Sequence, residues 1–72
     1  MKKRLSPRFK NQFLGMSKNE ALALLEASKE EYNINAIDYF ETRHKVPKVI
    51  YVNYGGMGLH FNKKSRRIEK VY

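Results

Sequence analysis

The sequence predicts an α+β domain in which one amphipathic helix packs on a three- or four-stranded antiparallel meander, with a basic N-terminal arm in front. Three observations carry this. Ser17-Lys18-Asn19-Glu20 reads as a capping box, the serine hydroxyl accepting from the Glu20 amide while the Glu20 carboxylate reaches back to the serine N–H. Ala21, Leu24, Leu25, Ser28 and Tyr32 follow at i, i+3, i+4 and i+7, which puts one stripe on one side of a helix. Beyond Asn33 the apolar period drops from 3.6 to 2, and β-branched and aromatic residues dominate.

In chain order, residues 1–12 lack an apolar period and contain Pro7, so they read as a basic arm, docked by Phe9, Phe13 and Leu14; residues 13–72 form the single domain. Gly15 lets the chain bend, Met16 staples onto the first turn, and the helix runs from Lys18 for about 15 residues, widened by Leu22. Glu26, Lys29, Glu30 and Glu31 fall on its wet side, and Asn33 is a left-handed stop. Strands are expected over 34–40 and 49–54, joined by the polar connection 41–48. Gly55-Gly56-Met57-Gly58 supplies a turn, 59–62 extends again, and a second tight turn at 63–65 leads into a last strand over 66–72.

At 72 residues the chain makes one core and buries about 60% of its unfolded surface, which leaves little interior for a substrate cleft. It has no cysteine, so disulfides and thiolate metal sites are excluded, and a reducing, cytoplasmic setting is expected. The start, Met1 to Arg8, is charged like the head of a signal peptide, but no apolar run follows, and nothing is long enough to span a bilayer. The formal charge of +8 is unevenly spread. Lys2, Lys3, Arg4, Arg8 and Lys10 stand without an acid in the first ten residues. Residues 11–42 set Lys18 and Lys29 against six acids, and residues 43–72 carry eight bases against Glu69 alone.

The residues do not assemble into a catalytic or metal constellation. His44 and His60 lie 16 positions apart without cysteine or paired carboxylates beside them, and read as ordinary imidazoles. Ser6, Ser17, Ser28 and Ser65 have no nucleophile context. The glycine cluster 55–58 lacks a following helix and a Gly-Lys-Ser/Thr ending, so it is a hairpin turn rather than a phosphate cradle. Asp38 and Glu41 sit three apart on an extended segment and point to opposite sides. No cofactor is implied, and a non-enzymatic binding role is expected. Tyr51, Tyr54, Phe61 and Tyr72 fall on strands where they could stack bases, yet the core of so small a domain is expected to claim most of them. No aromatic cluster with the glycine spacing of RNA-binding sheets is present.

The segment Phe13-Leu14-Gly15-Met16-Ser17-Lys18-Asn19-Glu20-Ala21, with a helix, an apolar strand, a long connection and Leu59-His60-Phe61-Asn62 through Ile68-Glu69-Lys70-Val71-Tyr72, resembles the potato inhibitor I family of serine protease inhibitors. In that family a Gly-x-Ser-x-x-Glu-Ala element opens the single helix, and a loop between the next two strands enters the protease. Small outer-membrane assembly lipoproteins share a similar Gly-Met-Ser/Thr-x-x-Glu opening. The chain departs from the inhibitor pattern in two places. Gly58, Leu59, His60 and Phe61 stand where basic residues brace the reactive loop, and residues 49–52 read as a strand where the extended loop should be, which shortens it to 41–48. The resemblance implies a helix-plus-sheet fold rather than a working inhibitory loop.

Two binding roles are expected from the charge. In the first, the protein is an inhibitor or regulator that engages an acidic surface of a partner protein through Arg43, Lys45, Lys48, Lys63, Lys64, Arg66 and Arg67. In the alternative, Lys2, Lys3, Arg4, Arg8 and Lys10 of the arm join Lys63, Lys64, Arg66 and Arg67 to grip the phosphates of a nucleic acid. Basic residues on edge strands also block aggregation, and an open last strand ending at Tyr72 offers an edge for a homodimer.

Overall fold

The computed structural model describes residues 4–72; Lys2 and Lys3 of the expected arm lie outside the described residues. Two helices, α1 (Pro7–Asn11) and α2 (Lys18–Ala27), cover one face of a sheet formed by β1 (Ile37–Glu41), β2 (Pro47–Val52), β3 (Met57–Phe61) and β4 (Ile68–Val71). The strands are antiparallel and ordered as in the sequence, the four-stranded form of the expected meander.

The described part of the arm is not a free extension. Ser6 caps α1 by accepting from the Phe9 amide at 3.2 Å, and Pro7 occupies the first turn, where its missing N–H costs nothing. The resulting turn drives Phe9 into the core: its ring stacks on Tyr32 at 3.9 Å between centroids and meets Phe13 edge-on at 5.3 Å. Phe9 and Phe13 dock as expected, whereas Leu14 stays half-exposed.

The capping box at Ser17 forms with both bonds in place, 3.1 Å and 3.4 Å. The Glu20 carboxyl is held below its ordinary range, chiefly by the Ser17 N–H and then by the Ser17 hydroxyl. Ala21, Leu25 and Ser28 are buried as the stripe requires. Regular helix stops at Ala27, five residues before the expected end, and turns carry the chain on to Asn33, which is left-handed at φ 56°. Glu26, Glu30 and Glu31 crowd the negative end of the helix dipole, which disfavours further helix there.

Asn53 sets the boundaries of the first two strands. Its side-chain oxygen accepts from the Asn35 and Ala36 amides at 2.8 and 3.2 Å, its amide nitrogen donates to the Asn33 carbonyl at 3.1 Å, and its backbone N–H donates to Ala36 O at 2.8 Å. Residues 34–36 are thereby tied to the β2–β3 turn, and β1 begins at Ile37 rather than at residue 34. Asn53, Tyr54 and Gly55 take positive φ of 51°, 55° and 103° in succession. The turn therefore falls at 53–56 instead of 55–58, β2 ends at Val52, and Met57 and Gly58 belong to β3. Left-handed Arg66, at φ 59°, likewise delays β4 to Ile68. Asn53→Ala is expected to lower unfolding free energy by about 2–3 kcal/mol, from lost hydrogen bonds plus a left-handed alanine, and Asn53→Gly by about half as much. Paired denaturant titrations check the difference.

Cross-strand register divides the sheet cleanly. Ile37, Ile50, Val52, Met57, Leu59, Phe61, Ile68 and Val71 turn toward the helices and join Phe9, Phe13, Ala21 and Leu25 in one core. Tyr39 borders that core; its hydroxyl donates to Glu41 Oε2 at 2.9 Å, and the Lys18 ammonium lies 4.6 Å over its ring. Burial, reinforced by the Glu41 carboxylate, pushes the Tyr39 phenol up to about 12. Because the unfolded phenol ionises near pH 10, the stability this group contributes is full below that pH and is lost as pH rises toward 12. Alkaline unfolding curves are expected to lose that slope in Tyr39→Phe.

Candidate nucleic-acid interface

The side of the sheet turned away from the helices is built from alternate residues of all four strands. One row pairs Asp38 with Tyr51, Tyr51 with Gly58, and Gly58 with Tyr72 through reciprocal backbone bonds of 3.3 and 2.9 Å. The neighbouring row runs Phe40, Val49, His60, Lys70. Large and small residues alternate between the rows, so the rings interleave. Phe40 meets Tyr51 at 5.8 Å, Tyr51 meets His60 at 6.3 Å, and His60 meets Tyr72 at 4.9 Å, all near-perpendicular. The result is an aromatic band crossing the whole sheet. Phe40, Tyr51 and Tyr72 are 49%, 39% and 57% exposed, while Val49 is buried beneath the band.

A meander puts its first and third turns at the same end of the sheet, and here both are basic. In the β1–β2 turn the Thr42 hydroxyl accepts from the His44 and Val46 amides at 3.3 and 3.2 Å, and Lys45 is left-handed at φ 63°. In the β3–β4 turn the Asn62 side chain accepts from the Lys64 and Ser65 amides at 2.8 and 2.9 Å. Both turns are thus held by their own small polar residue, which leaves the long cationic side chains to project. Arg43, Lys45, Lys48, Lys63, Lys64 and Arg66 are exposed, and none forms an ion pair among the described residues. The turn centres lie two strand spacings apart, about 10 Å, next to the Phe40–His60 row.

Arg67 and the described bases of the N-terminal segment have other positions. Arg67 donates to the Gly15 carbonyl at 3.0 Å and to Glu20 at 3.4 Å, which fastens the start of α2 to the start of β4. The same junction carries the Gly15–Ile68 and Ile68–Met16 backbone bonds, so the first part of the β4 edge is covered. Arg8 and Lys10 flank Phe9, which packs on Tyr32 past the far end of α2; they are not gathered with the 62–67 turn. Arg4 is exposed on the same N-terminal segment.

Of the four aromatics Tyr51, Tyr54, Phe61 and Tyr72, most of which the core was expected to claim, it takes one, and Phe40, His60 and Lys70 of the band are not legible as site residues in the sequence. Phe61 goes to the core, and Tyr54 stands 85% exposed in the β2–β3 turn. Period-2 alternation assigns Phe40 and Asp38 to one side of β1 and His60 and Gly58 to one side of β3, yet only cross-strand register shows that these sides coincide. Lys70 is held in the band beside Tyr72, 4.9 Å above its ring, and interaction with Tyr72 raises its affinity for the proton. No protein-family model, curated protein or solved structure matches the chain, so the function of this surface is argued from its own geometry and charge.

Proposed function

We propose that the protein binds nucleic acid on the open side of its sheet, without catalysing a reaction. One observation supports this above the others: a band of exposed Phe40, Tyr51 and Tyr72, joined by half-buried His60, crosses a sheet face that neither helix covers, with cations at its end that form no ion pair among the described residues. Apolar rings in so exposed a row have no role in the core, which the other side already fills. Rings offer stacking to bases, and the cations offer phosphate contacts that position the strand.

A second reading keeps the same cations for an acidic protein surface. The clustering of Arg43, Lys45, Lys48, Lys63, Lys64 and Arg66 at one end favours it as well, and tyrosine is enriched in protein interfaces. Fluorescence anisotropy with labelled mixed-sequence oligonucleotides separates the two. Nucleic-acid binding is expected to weaken with salt at a slope of about −2 to −4 in log K against log salt, for three to six phosphates neutralised. Absence of binding at 50 mM salt, together with one protein recovered after nuclease treatment at moderate salt, overturns the proposal in favour of a protein partner.

A further inference from the structure

Resting on that reading, we infer that the ligand is single-stranded, laid across the β-strands, with its bases stacked on the exposed rings of Phe40, Tyr51 and Tyr72. Gly58, itself buried, pairs directly with both tyrosines and has no side chain to lift the rings off the strand. The tyrosine backbones stand two strand spacings apart, about 10 Å, and the His60 ring packs edge-on against both. A Cβ placed on Gly58 would lie 3.4 Å from His60 Nε2 and 3.6 Å from the Tyr51 ring, so a larger side chain there pushes these rings out of the band. Gly58 has no need of glycine's backbone freedom, being ordinary β-strand with a negative φ. Glycine in a strand interior weakens it, and the close packing of the Tyr51 and His60 rings over this backbone accounts for its presence.

Duplex bases are stacked on one another and present only edges and phosphates, so rings lying on a sheet have no base faces to meet. An unpaired strand does offer them. Three exposed rings, Phe40, Tyr51 and Tyr72, set a footprint of about three nucleotides. The cations fix which way the strand lies: both basic turns flank the Phe40–His60 row, so phosphates run along that side and bases reach over the rings. Lys70 lies within the band, where it reaches a base or its phosphate from β4.

The test compares a labelled 12-nucleotide single strand with its duplex on the wild-type protein, on Gly58→Val and on Tyr51→Leu. Gly58→Val puts a good strand former under the Tyr51 and His60 rings, and by displacing them is expected to lower single-strand affinity roughly ten-fold while the domain stays folded. Tyr51→Leu removes an exposed ring with the core intact, and is expected to cause a similar loss. Wild-type protein is expected to prefer the single strand at least ten-fold. Equal affinity for duplex and single strand, or Gly58→Val and Tyr51→Leu binding as tightly as wild type, overturns the single-strand inference while leaving nucleic-acid binding in place. Binding to neither overturns both.

Discussion

Phe9→Ala is expected to remove about 3–5 kcal/mol of stability, as deletion of a buried aromatic ring does. A domain of this size has only about 5–15 kcal/mol in total, so the variant is expected to be partly unfolded at room temperature. The cost arises because the ring is shared: it stacks on Tyr32 and meets Phe13, so alanine leaves a cavity bordered by Phe13 and by Tyr32 in the turns after α2. Circular dichroism melts of wild type and variant measure the loss. A change below 1 kcal/mol would mean that residues 7–11 do not dock, and that the domain begins near residue 13.

Lys63→Ser, Lys64→Ser and Arg66→Asn combined are expected to reduce oligonucleotide affinity at 50 mM salt by about two to three orders of magnitude and to flatten the salt slope by about 2. Asparagine is chosen at position 66 because the residue there is left-handed, at φ 59°, and asparagine tolerates that conformation. The melting temperature is expected to stay near that of wild type, since these side chains make no ion pairs among the described residues. Arg67→Ser makes the contrasting case. Its guanidinium bonds to the Gly15 carbonyl and Glu20, so its removal loosens the α2–β4 junction and lowers stability more than affinity. An unchanged salt slope in the triple variant would place the phosphate contacts elsewhere.

The N-terminal segment shows where local reading succeeds and where it stops. Ser6-Pro7 is an N-cap followed by proline at the first helical position, a start as legible as the capping box at Ser17. It was masked by charge: five bases in ten residues suggest an arm, while a one-turn helix is too short to show an apolar period. Strand ends were misplaced for a related reason. Asn53 and Tyr54 are left-handed against the general preference, and the bonds that hold Asn53 there reach back to residues 33–36, far along the chain. The more obvious glycines at 56 and 58 drew the turn toward themselves.

Capping chemistry, helical period and the change to period 2 act over a few residues, and they sufficed to determine an α+β domain with one principal helix on an antiparallel meander. The asymmetric charge was equally a property of the sequence. Only the tertiary structure decided which aromatic residues face outward together, because that depends on register between strands whose paired residues lie from 5 to 15 positions apart. It also decided which of the bases are available. Arg67 and Arg66 are neighbours of identical chemistry, yet Arg67 turns to Gly15 and Glu20 while Arg66 projects from its turn, a distinction made by a partner some fifty residues away.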